Sequence, residues 1–103
     1  MKITNIECLI STDASASNLV YVKTKTDADI YGVGEVYHVG PDAASPVWVE
    51  YFAEQLVGQD PTEIERNWAL CYQGARFPIG STGLAALSAI DQSLWDITGK
   101  ALN

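Results

Sequence analysis

Positive charge is scarce in this chain: six Lys and Arg stand against thirteen Asp and Glu, giving a formal net charge of −7 over 103 residues. Nucleic acid and anionic membrane surfaces are recognised by basic patches, so neither is expected as a partner. No apolar run approaches the roughly 20 residues needed to span a bilayer. Polar residues interrupt the start, Met1 to Asn5, so it does not read as a signal peptide, and the expected compartment is the cytoplasm. There are two cysteines, Cys8 and Cys71, far apart and in no CxxC arrangement, and buried free thiols are expected. There is one histidine, His38, and no His or carboxylate cluster at metal-ligand spacing. Internal repeats and low-complexity segments are also lacking, which leaves a single domain.

What is present has a clear order. Hydrophobic residues make up 48% of the chain, enough for one modest core. Lys2 to Ile10 reads as a strand. Ser11 to Asn18 is too small and polar to bury much and reads as a loop. Leu19 to Thr26 is a second strand, with Val20, Val22, Thr24 and Thr26 on one side and Tyr21, Lys23 and Lys25 on the other. A turn at Asp27–Asp29 leads to a third strand, Ile30 to Val39. Its glycines, Gly32 and Gly34, predict a bulge or a close backbone approach.

Three helices follow. Ser45-Pro46 predicts a helix start, with Ser as N-cap, and the helix runs to about Val57, where Gly58 ends it. Asp60, Pro61 and Glu63 predict a capped second start, with Ile64, Trp68 and Cys71 on its buried face and Gly74 as its stop. The longest helix spans Gly80 to Asn103. Leu87, Ile90, Leu94, Ile97 and Ala101 share one face, and Ala85, Ala89, Gln92 and Asp96 form a small or polar second face, which implies packing on two sides. No stop signal follows it, so the chain is expected to be the front part of a longer protein. The fold class is α+β: a three-stranded antiparallel meander covered by a layer of three helices.

The segment Ala86 to Lys100, ALSAIDQSLWDITGK, resembles the signature near the end of the N-terminal domain in the mandelate racemase and muconate lactonizing enzyme branch of the enolase superfamily. It matches at Ala86, Ser88, Ala89, Ile90, Asp91, Leu94, Asp96, Gly99 and Lys100, and departs at Ser93, where Ala is usual. TDADIYGVGEVY resembles the family's second hairpin and VGQDPTEIERNW its GxDP-type helix start. The resemblance implies that residues 1–103 are a capping domain preceding a modified (β/α) barrel. It further implies a small carboxylate substrate and a Mg²⁺ ion held by the barrel, not by this segment. The expected chemistry is removal of the proton α to the carboxylate, as in a sugar-acid dehydratase, or in a racemase, epimerase or cycloisomerase of the same family. The segment alone is then expected to be inactive, and the whole protein a homo-oligomer. The rival reading is a complete, stand-alone α+β binding or interaction module.

Candidate site residues follow from the same resemblance. The loops after the first and third strands fold over the barrel mouth in this family, which makes Ser11 to Asn18 and Tyr37 to Ala43 the specificity loops. Ser15, Asn18, Tyr37 and His38 are the expected substrate contacts. His38 is also the one side chain here that naturally titrates near neutrality. Arg76 and Phe77 are added because an Arg beside an aromatic ring can hold a carboxylate or hydroxyls, although an ion pair explains Arg76 equally well. Gly32-Val33-Gly34 lacks the strand–turn–helix context of a dinucleotide site. The Gly80 to Gly83 stretch reads as a helix cap, and Asp91 and Asp96, five apart, read as structural.

Overall fold

The computed structural model describes residues 1–13 and 16–103. β1 (Ile3–Asp13), β2 (Ala16–Thr26) and β3 (Tyr31–Glu35) form one antiparallel sheet in that order, and α1 (Ala44–Leu56), α2 (Ile64–Gly74) and α3 (Gly80–Leu102) follow. The side-chain alternation of β2 decides the faces: Val20, Val22 and Thr24 are buried, while Tyr21, Lys23 and Lys25 lie on the other face. Ile3 and Ile6 join the buried side. The helices close over it with Val49, Phe52 and Leu56 from α1 and Leu87, Ile90, Leu94 and Ile97 from α3, all nearly inaccessible to water. Each such side chain stabilises the fold by roughly 1.5–3 kcal/mol relative to exposure.

Helix α3 has three working sides. One is the core stripe just named. The second lies against β3, and the glycines there are a close backbone approach. A Cβ on Gly32 would sit 1.9 Å from the Ser93 carbonyl oxygen, and one on Gly34 would sit 1.9 Å from that of Ala89. Ser93, the departure from the family pattern, has its own partner: its hydroxyl donates to the Ile90 carbonyl at 2.6 Å and meets the Thr24 hydroxyl at 2.7 Å.

On the same side, three residues spaced by one turn satisfy the outer edge of β3. Gln92 accepts from the Glu35 N–H at 3.0 Å, Asp96 Oδ2 accepts from the Val33 N–H at 3.0 Å, and Lys100 Nζ donates to the Tyr31 carbonyl at 2.6 Å. An edge strand that would otherwise offer unpaired groups is thereby closed. The third side is open: Leu84, Trp95 and Leu102, at spacings of eleven and seven, form an exposed apolar line, with Leu84 41%, Trp95 62% and Leu102 84% exposed.

Asp96 gives a pH prediction. Partial burial pushes its carboxyl up, but the Val33 N–H and the Lys100 ammonium outweigh this and hold it below its ordinary value of 3.8. A carboxylate with a depressed folded pKa contributes stability that is full above the unfolded value and is lost as pH falls through the folded one. Asp96→Asn should therefore lower stability near neutrality by well under 1 kcal/mol, given its exposure. The difference from wild type should shrink between about pH 5 and pH 2. Urea denaturation at several pH values measures this, and a gap that widens on acidification would contradict the assignment.

Six expectations are corrected. The first hairpin is longer than its apolar pattern: Ser11 pairs with Leu19 and Asp13 with Ala16, because main-chain pairing continues through small, polar residues. The third strand ends at Glu35, not Val39. Ser45 is not the N-cap of α1; Ala43 is, and the first N–H groups of Ala44 and Ser45 donate to the Pro41 and Asp42 carbonyls at 3.0 Å.

The Asp60 signal acts one turn before α2 begins: its Oδ1 accepts from the N–H and hydroxyl of Thr62 at 2.9 and 2.7 Å, while Glu63 takes the N-cap position with no side-chain cap. That turn carries the Asp60 carbonyl to Asn67 Nδ2, 2.8 Å away, so Asn67 takes the buried position. Trp68 is displaced to the surface and stacks on Tyr72 with ring centroids 4.7 Å apart. Ala101, expected on the buried face of α3, is exposed near the end of that helix. Gly58, at φ +93°, ends α1 as expected.

Candidate functional site

Beyond Val36, whose N–H donates to the Val20 carbonyl at 2.8 Å, the chain leaves the sheet. Residues 37–41 are all exposed, and Asp42 brings the chain back. Asp42 is only 16% exposed at its side chain, and its two oxygens serve different partners. Oδ1 lies 3.0 Å from His38 Nδ1, and Oδ2 accepts from Asn18 Nδ2 at 3.0 Å. An ionised carboxylate can only accept, so His38 Nδ1 carries the proton in this pair and Nε2 is the atom turned outward. Two of the expected contacts, Asn18 and His38, are thus brought together by a residue that sequence reasoning missed. The available signal was an Asp four residues after the sole His. Tyr37 projects beside them, 76% exposed. Ser15 lies outside the described residues.

Arg76 and Phe77 belong to a separate feature. The Arg76 guanidinium lies 5.5 Å from the Phe77 ring centre, and both border an apolar groove of about 360 Å³ against Val47, Trp48 and Tyr51 of α1. The groove and the loop of residues 37–42 share one neighbour at the start of α3. The Trp48 Nε1–H donates to the Thr82 hydroxyl at 3.1 Å, and a Cβ on Gly40 would lie 3.9 Å from Thr82 Cγ2.

Nucleophilic chemistry finds no support in the thiols. Burial pushes the Cys71 thiol up to about 12, so it stays protonated at neutral pH, and burial raises Cys8 as well. Burial also pushes the Asp91 carboxyl up, against a lowering hydrogen bond from Trp95. Among the described residues, no three or more His, Cys, Asp or Glu side chains gather where they could hold a metal ion. Among the described residues, no helix is long and apolar enough to cross a membrane.

The family description "Mandelate racemase / muconate lactonizing enzyme, N-terminal domain" matches residues 5–103. The chain belongs to this family. It is 36% identical over its full length to the D-galactonate dehydratase family member RspA of Cellvibrio japonicus and spans 25% of that protein. An enolase from Agrobacterium radiobacter, solved with bound sodium and L-malate, superposes with a TM-score of 0.92 at 42% identity; the match covers all of this chain and 26% of that one. An enolase from Pantoea ananatis, solved with D-gluconate and magnesium, gives a TM-score of 0.88 at 32% identity over 98% of this chain and 25% of its own. The chain thus spans about a quarter of the length of the curated relative and solved structures named here.

Proposed function

We propose that this chain is the substrate-capping and specificity domain of a Mg²⁺-dependent enzyme that removes the proton α to the carboxylate of a sugar acid and dehydrates it. The reading rests on one observation above all. Tyr37 and His38 stand on an exposed arc that Asp42 ties to the hairpin end at Asn18, in a chain similar to a D-galactonate dehydratase family member. A Mg²⁺ ion held by the barrel would supply charge stabilisation as the α proton leaves. What this chain's residues do is different: they close over the acid, exclude water and contact its hydroxyls.

The exposed line Leu84, Trp95 and Leu102 on α3 supports a barrel domain of the same protein as its covering, since monomeric proteins seldom leave large apolar patches bare. The same reading makes the whole protein a cytoplasmic homo-oligomer, as the family resemblance implies.

The test uses the whole protein with Mg²⁺ in deuterated water, offered D-galactonate and other aldonic and aldaric acids. An α-keto acid lacking one hydroxyl should accumulate as water leaves, with one deuterium at the carbon that lost the hydroxyl, where the enol is protonated by solvent. Exchange with an inverted or cyclised product would instead favour a racemase, epimerase or cycloisomerase. Neither product nor deuterium incorporation with any acid would sink the enzymatic reading and leave the binding-module alternative.

A further inference from the structure

We infer that Asp42 is a positioning residue, a latch that fixes the Tyr37–His38 arc against the first hairpin and sets which imidazole nitrogen faces the substrate; this rests on the proposed function above. The arc is held to β2 at both ends. Its first tie is the main-chain bond from Val36 to Val20, and its second is the side-chain bond between Asn18 and Asp42. Between them, residues 37–41 are exposed and contribute nothing to the core. Without the second tie, the far end of the arc would be held only at the start of α1, where the Ala44 and Ser45 N–H groups donate to the Pro41 and Asp42 carbonyls, and no longer to the hairpin.

The chemistry of the latch requires an ionised carboxylate. Two donors, the Asn18 amide and the His38 Nδ1–H, approach two different oxygens, each at 3.0 Å. An amide at position 42 has a single acceptor oxygen, so it can satisfy only one of them. The same carboxylate selects the His38 tautomer that turns Nε2 outward. Asp42 itself is mostly covered, so it acts through His38 and the arc rather than by touching the substrate.

The experiment compares Asp42→Ala, Asp42→Asn, His38→Ala and the Asp42→Ala/His38→Ala double variant in the whole protein. The substrate is the acid that wild type turns over fastest in the panel above. Hydrogen exchange of segments 16–20 and 36–43 is followed alongside. Asp42→Ala should lower kcat/KM about tenfold, mostly through KM, because it removes the positioning of a binding group. Asp42→Asn should recover part of the loss. The double variant should lose less than the product of the two single losses, because part of the Asp42 effect runs through His38, and exchange should rise in both segments together.

A drop for His38→Ala with none for Asp42→Ala would overturn the latch while leaving the specificity reading intact. If wild type acts on no acid, that reading fails separately, and exchange decides the latch. A joint rise in both segments supports it, and unchanged exchange in either segment refutes it. Should Asp42→Ala misfold, Asp42→Asn carries the same comparisons.

Discussion

Gly34→Ala should destabilise the fold by about 3 kcal/mol, near the upper end for overpacking a close contact. The reason is geometric. Its Cβ would lie 1.9 Å from the Ala89 carbonyl oxygen and 2.8 Å from that carbonyl carbon, and these are backbone atoms that no rotamer change can move aside. Relief would require α3 to lift from β3. That would stretch the bonds by which Gln92, Asp96 and Lys100 close the strand edge. Gly99 on the same helix is the control. Nothing lies within 4 Å of a Cβ built there, so Gly99→Ala should stabilise by up to about 1 kcal/mol through helix propensity alone. Urea denaturation of the two variants reads both signs. Equal, small effects would mean that the α3–β3 contact is looser than described.

The second large effect concerns activity. Tyr37→Ala and His38→Ala should each lower kcat/KM of the whole enzyme by about 100-fold, the scale of a lost orienting contact. Both side chains project from the surface, Tyr37 at 76% exposure, and neither belongs to the core. The thermal midpoint should therefore hardly change: exposed side chains contribute within about 0.5 kcal/mol, and the bond His38 makes to Asp42 is a solvent-exposed one worth about 1 kcal/mol or less. His38→Ala also frees the Asp42 oxygen to water rather than burying it unpaired. Measuring kcat/KM and melting temperature on the same preparations separates the two readings. A matched fall in both would make the arc a structural element instead.

The fold was legible where one side of an element answers to one demand. β2 alternates cleanly because one face of the sheet meets the helices, and Leu87, Ile90, Leu94 and Ile97 declare the core stripe of α3. Gly32 and Gly34 announced a close approach, although which backbone they approach is a tertiary fact no local pattern carries.

Errors fell where polar chemistry was read too locally. Asp60 does organise a turn, but its partner is Thr62 and the helix begins only after it. Apolarity predicts Trp68 on the buried face, whereas Asn67 is buried for the hydrogen bond it gives to the Asp60 carbonyl. The site was legible to the same degree. His38 and Asn18 stood out singly. Their meeting through Asp42 joins residues 24 apart and needs the folded hairpin to exist.

The measurement that bears most directly on this account is the discrimination ratio, kcat/KM for the preferred acid over kcat/KM for an epimer, in the whole protein and in its Tyr37→Ala/His38→Ala double variant. If this chain selects the substrate and leaves the chemistry to other residues, the ratio should collapse toward one, while Mg²⁺-dependent dehydration of the acids persists. An unchanged ratio, or dehydration abolished altogether, would contradict it.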